Sequence, residues 1–155
     1  MSESQSNVTW ENIFNAAPYN RELGLKLGPV VDEWCELELP YRECLVGNPE
    51  TGVLHGGVIT ALIDVAFGVA IQHLLPEYRP RATLDLRIDY LKPATPGKTV
   101  YAAATCYKLT AQLAFVRGVA YHETRHNPIS TGVGIYMFTD GANPATSEES
   151  RNETF

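Results

Sequence analysis

Hydrophobic and polar positions divide the chain into successive elements. Trp10, Ile13, Phe14 and Ala17 recur at helical spacing, which predicts a short helix. Thr9 stands where it can cap that helix and Pro18 where it can end it. Over residues 25–39 the apolar positions Val31, Cys35, Leu37 and Leu39 alternate with acidic ones, among them Glu36 and Glu38. This predicts an extended segment with a solvated face, bent or bulged at Gly28-Pro29. Residues 47–51, Gly-Asn-Pro-Glu-Thr, carry turn signals. The apolar run over 58–75 that follows is too long for a strand and free of proline, so it predicts a helix. It is apolar on nearly every face, as in a helix buried on all sides, until Gln72, His73 and Pro76 stop it. Beyond it, Leu84, Leu86, Ile88 and Tyr90 alternate with Thr83, Asp85, Arg87 and Asp89, the pattern of a half-buried strand. Residues 98–108, 113–124 and 131–138 read as three more strands.

Strands joined by short turns form an antiparallel sheet. A single long apolar helix is buried only if such a sheet curls around it. The expected fold class is therefore α+β, an antiparallel β-sheet wrapped around one long central helix. It occupies one domain over residues 9–139, between a disordered N-terminus, 1–8, and a disordered acidic tail, 140–155.

Composition excludes several classes of function. A net charge of −6 argues against a nucleic-acid or anionic-membrane partner. The three cysteines, Cys35, Cys44 and Cys106, have neither the count nor the spacing of a disulfide framework or zinc site. The first residues lack the basic and apolar parts of a secretory signal, and the apolar run is interrupted by Asp64. These features point to a cytoplasmic protein with reduced thiols. His55, His73, His122 and His126 lack ligand spacing, and phosphate-loop, His-Glu-x-x-His and Gly-x-Ser-x-Gly motifs are absent. No metal and no cofactor is expected.

Candidate chemistry centres on Asp64, a single charge inside the apolar run. An aspartate there costs stability without a partner, and it reads either as a structural ion pair or as a functional carboxylate. Gly56 and Gly57 stand at the helix start, where Ser, Thr, Asp or Asn would ordinarily cap. Two glycines let another group approach the free N–H groups, whose dipole suits a developing oxyanion. Gly57 and Asp64 lie about two turns apart, ~10 Å, too far to act on one carbonyl within a single helix. Two antiparallel helices across a two-fold axis would bring one Asp64 beside the other Gly57. A homodimer or a dimer of dimers is expected on that ground.

The segment Asn48…Gly52-Val-Leu-His55-Gly56-Gly57, followed by Asp64, Ala66 and Gly68, resembles the signature of the hot-dog-fold acyl-CoA thioesterases. Within them it is most similar to the branch named after phenylacetic acid degradation. Leu23-Gly24-Leu25 and the segment from Ala82 through Lys92-Pro93-Ala94 match the same branch, so the resemblance spans residues 10–139. It implies that Asp64 is the catalytic carboxylate, as nucleophile or general base. It implies further that the Gly57 N–H polarises the thioester carbonyl, that His55 shapes the loop and can bond the thioester oxygen, that Asn48 positions water, and that Thr83 is the small hydroxyl residue near the site. In the family the asparagine stands six residues before the histidine; here Asn48 stands seven before His55, so either the loop bulges or Glu50 takes part of the role.

The expected activity is hydrolysis of a small acyl-CoA, aromatic or of short to medium chain, with CoA entering only as part of the substrate. Leu54, Gly56, Phe67 and Ile71 are the candidates for binding it. Arg87, Lys92, Lys98, Arg117 and Arg125 are the candidate partners of the CoA phosphates. Two other readings compete. One is hydration or dehydration of an acyl thioester, which wants a histidine beside the carboxylate; His73 lies nine residues past Asp64, beyond easy reach. The other is a non-catalytic acyl-thioester binder with a structural Asp64.

Overall fold

The structure, a computed structural model, describes residues 10–140. The expectations for residues 1–8, for the Thr9 cap and for the tail beyond Asp140 lie outside the described residues. Asp140 itself is held by Arg79, whose Nε and Nη2 donate to its carboxylate at 2.6 and 3.0 Å.

The chain opens with α1, Trp10–Ala16, and α2, Pro18–Leu23. Pro18 does not simply end a helix, as the sequence pattern suggested. Its fixed φ suits the first helical position, so it begins α2, which closes on Gly24 in the left-handed region at φ 72°. The extended segment after it is two strands, β1 (Lys26–Val31) and β2 (Trp34–Leu39), folded back on each other. Their turn residues Asp32 and Glu33 both take positive φ, 50° and 65°, as two-residue hairpins require. The irregularity expected at Gly28-Pro29 is present as a register shift between Leu27 and Val30.

A 3₁₀ turn, Glu43–Leu45, leads into a small hairpin of β3 (Val46–Asn48) and β4 (Val53–Leu54). The long helix α3, Gly56–His73, follows. Then come β5 (Arg81–Tyr90), β6 (Val100–Leu109), β7 (Leu113–Tyr121) and β8 (Ser130–Phe138). Six strands form one antiparallel sheet in the order β1-β2-β6-β7-β8-β5, and α3 packs across β2, β6 and β7.

Leu62, Ile63, Phe67 and Ile71 of α3 enter the core with Leu37, Leu39, Val100 and Val116 from the sheet. At Gly118 and Gly134 the sheet makes room for the Phe67 ring; an added Cβ would stand 2.7 and 3.1 Å from it. This is the hot-dog arrangement. By length and composition alone α3 passes for a membrane span, with a mean hydropathy of 1.4, but half of it is buried within the protein. It is not buried on all sides, as its composition suggested. Val58, Ala61, Asp64, Val65 and Gly68 form a stripe that the sheet leaves partly exposed.

Candidate active site

Asp64 lies on that uncovered stripe, two turns into α3. Its partners are hydroxyls rather than an arginine. Thr83 Oγ1 donates to Asp64 Oδ1 at 3.2 Å, and the Tyr136 hydroxyl donates to the same oxygen at 2.5 Å. Tyr136 also reaches the Asp64 carbonyl at 3.2 Å. Burial raises the Tyr136 phenol well above its ordinary pKa, and its hydrogen bond to the Asp64 carboxylate raises it further. Tyr136 therefore stays a donor throughout the working pH range. Both hydroxyls grip Oδ1, and Oδ2 forms no hydrogen bond among the described residues.

A break in the strand pattern makes this pairing possible. Thr83 of β5 and Tyr136 of β8 are register partners, so their side chains share a face. The register then shifts between Thr83 and Asp85. This bulge turns Leu84 outward, 54 % exposed, and aims Thr83 at the helix. Uninterrupted alternation would have sent Thr83 to solvent. Tyr136 escaped the sequence reading altogether, because a tyrosine in an apolar strand is ordinary core and the signal resides in the cross-strand register.

At the start of α3, His55 is the cap. Its Nδ1 accepts the Gly57 N–H at 2.9 Å. The Gly57 N–H expected to stand free for a carbonyl is therefore engaged in this chain. An imidazole accepting at Nδ1 carries its proton on Nε2, so the exposed ring presents a donor in its place. The Gly56 N–H forms no hydrogen bond among the described residues. Tyr90, at the end of β5, fastens this turn by donating to the Gly56 carbonyl at 2.7 Å, and its hydroxyl lies 2.5 Å from Thr60 Oγ1.

Asn48 is exposed in the hairpin, where its Oδ1 accepts the Glu50 N–H at 3.0 Å. The ladder carries a register shift between Val46 and Asn48, so an extra residue is absorbed there. Gly47 packs against His55 so closely that a Cβ would stand 2.8 Å from its Cα. Asn48 makes no contact with Asp64 of its own chain.

Two clefts flank these groups. One of about 390 Å³ lies at the start of α3, lined by Leu54, Gly56, Ile59, Tyr90, Lys92 and Ser130 among others. A polar pocket sharing its Lys92 wall adds Lys98 and His122. The second cleft, about 260 Å³, carries Asp64, Thr83 and Tyr136. Of the remaining binding candidates, Phe67 and Ile71 are fully buried core and line neither cleft; each lies on the sheet-facing side of α3. Arg125 lies over the Trp34 ring at 5.1 Å and Arg117 over both Trp34 and Tyr107, away from either cleft. Arg87 pairs with Asp89 and Lys98 with Glu123. Lys92 Nζ donates to Asn127 at 2.5 Å, a neutral partner that leaves its charge uncompensated.

Among the described residues no group of histidines, cysteines and carboxylates is placed to hold a metal ion. A hydroxyl-anchored carboxylate and a capped, glycine-rich helix start, on a sheet-wrapped helix, define the hot-dog class. The model of the thioesterase superfamily matches residues 51–129. The medium/long-chain acyl-CoA thioesterase YigI of Escherichia coli is 32 % identical over 133 residues, covering 77 % of this chain and 84 % of its own. A solved structure from Pseudomonas aeruginosa is 41 % identical with a TM-score of 0.74, covering 81 % of this chain and 93 % of its own. The phenylacetic acid degradation protein PaaI of Thermus thermophilus is 26 % identical at a TM-score of 0.66, covering 77 % and 97 %. The chain belongs to the thioesterase superfamily and is a thioester hydrolase of the acyl-CoA type.

Proposed function

We propose that two copies of this chain hydrolyse an acyl-CoA between Asp64 of one and the α3 start of the other. The observation that carries the reading is the Asp64 carboxylate, held through Oδ1 by Tyr136 and Thr83, with Oδ2 unbonded among the described residues. Oδ2 takes a proton from water as its oxygen attacks the thioester carbonyl carbon. The developing oxyanion is met by the partner's helix start, where the His55 Nε2–H and the Gly56 N–H are directed donors. Collapse of the tetrahedral intermediate breaks the C–S bond, and the proton held by Asp64 goes to the departing CoA thiolate. Asn48 positions the water from its loop.

The need for a second copy follows from the ~10 Å between Asp64 and Gly57 on one helix. The partly exposed Val58 and Ala61 on α3 and the open edge of β5 supply a surface for that copy. A dimer, or a dimer of dimers, in the cytoplasm completes the proposal. The placement within the phenylacetic acid degradation branch rests on the motif and on the likeness to the Thermus protein. The medium/long-chain range in the name of YigI supports longer acyl groups beside aromatic ones.

The test is thiol release from a panel of acyl-CoAs, run beside hydration of crotonyl-CoA. Hydrolysis that falls at least ~10²-fold in Asp64→Asn, with the fold retained, is expected. Wild-type turnover in that variant would make Asp64 structural. Mixing Asp64→Asn subunits with Gly57→Val subunits should restore part of the activity in heterodimers. An added Cβ at Gly57 would stand 2.9 Å from His55 Nδ1 and displace the ring. No recovery after demonstrated subunit exchange would put both groups of a site in one chain.

A further inference from the structure

We infer that the Asp64 cleft is a slot for a straight aliphatic acyl chain, walled by α1 and gauged by Gly68; this rests on the hydrolase reading above. The cleft runs along α3 past Asp64, Val65, Gly68, Val69 and Gln72, a stripe of one helix face. Ile13, Phe14 and Ala17, from α1 and the residue after it, form the opposite wall. The N-terminal helix thereby lines the site as well as packing on the core through Phe14.

Lys92, whose ammonium has a neutral partner, stands on the α3-start side, where a CoA phosphate would find it. On the Asp64 side the cation lining the cleft is Arg81, whose guanidinium is held by neutral acceptors of its own chain. Nη1 donates to Gln72 Oε1 at 3.1 Å and to the Arg79 carbonyl at 3.0 Å; Nη2 donates to the Gly68 carbonyl at 2.9 Å. Ile13, Phe14, Val65 and Val69 give the slot apolar walls that reward an alkyl chain.

Gly68 is the second observation. A glycine inside a helix is less favourable than alanine by about 1 kcal/mol. Packing does not demand one here: an added Cβ would meet only Arg81 Nε, at 4.0 Å. The space is kept open on the cleft side. From Asp64 to Gln72 the helix advances ~12 Å, and to Gly68 ~6 Å. An extended alkyl chain advances roughly 1.3 Å per carbon, given C–C bonds of ~1.5 Å. The whole slot thus accommodates about nine carbons and the part before Gly68 about five.

The experiment measures kcat/KM for saturated acyl-CoAs from acetyl to lauroyl, and for phenylacetyl-CoA, in wild type and variants. In the wild type kcat/KM should rise about fourfold per methylene and level off near ten carbons. Gly68→Leu should level off near six, so that its decanoyl-to-hexanoyl ratio falls at least tenfold. Gly68→Ala, for which the backbone has room, should fall between them and keep or raise Tm. Ile13→Ala should move the plateau to longer chains. An unchanged length profile in Gly68→Leu and Gly68→Ala, or a loss equal at every length, overturns the slot while leaving hydrolysis intact. A higher kcat/KM on phenylacetyl-CoA than on any straight chain also overturns it. A wild type that releases no thiol from any acyl-CoA sinks the hydrolase reading itself, and the slot with it.

Discussion

The Tyr136 hydroxyl lies 2.5 Å from Asp64 Oδ1, at the centre of the candidate site. Tyr136 is only 4 % exposed, so water does not compete for its proton. In the proposed mechanism it is a positioning residue: it holds one carboxylate oxygen and leaves the other for the reacting water. Tyr136→Phe removes the donor and leaves the ring, which meets Phe67 edge-on at 6.4 Å. Hydrogen bonds to charged groups contribute about 1.5–3 kcal/mol. The expected result is a kcat lower by roughly ten- to a hundredfold with KM little changed. A matching fall in Tm with normal kcat would make the contact purely structural.

His55 has two tasks that one variant separates. As the cap of α3 it contributes about 1 kcal/mol to stability. As the proposed carbonyl donor it would contribute to the rate. His55→Asn keeps a capping oxygen and loses the Nε2–H. It should retain most of the wild-type Tm and lose at least ~10-fold in kcat, whereas His55→Ala should lose both. Thermal melts and steady-state thiol release, measured on the same preparations, decide it.

The hairpin bulge frames a comparison of Asn48 with Glu50. Asn48 Oδ1 is taken by the Glu50 N–H, which leaves its amide nitrogen as a donor pointed at solvent. Asn48→Ala should lower kcat at least tenfold, and Glu50→Ala, which keeps its backbone N–H, should alter it less than threefold. The reverse ranking would give the water-positioning role to Glu50.

A pH effect on stability follows from Cys35. Burial pushes its thiol from 9.0 up to about 11, because the thiolate is not solvated in the core. The folded pKa lies above the unfolded one, so the associated stability is full below pH 9 and is lost as pH rises towards 11. Chemical denaturation between pH 8 and 11 should show stability falling over that window. Cys35→Ala should flatten the fall, at the cost of a lower starting value. A thiol reagent at neutral pH should modify the exposed Cys44 well before Cys35.

The helix, its aspartate and its glycines were legible in the sequence because their signals are local. An apolar run of helical length with one charge in it declares both an element and an exception, whatever surrounds it. The wrapping of that helix by a sheet followed from the same run, since only a sheet buries it. The β1–β2 turn was not legible, because Asp32 and Glu33 take positive φ without the glycine or asparagine that ordinarily marks it.

How the side chains of the site come together was decided by tertiary structure. Alternation assigns Thr83 to the outer face and Leu84 to the core, and a single bulge turns Thr83, still exposed, to the face of Tyr136 and leaves Leu84 outside. Tyr136 reaches Asp64 only because β8 pairs with β5 in that register, a relationship between segments on opposite sides of β6 and β7 in the chain. Phe67, one turn past Asp64, is core for the complementary reason. On a helix a side chain's role follows from the face on which it falls, and which face the sheet covers is set by packing partners remote in sequence.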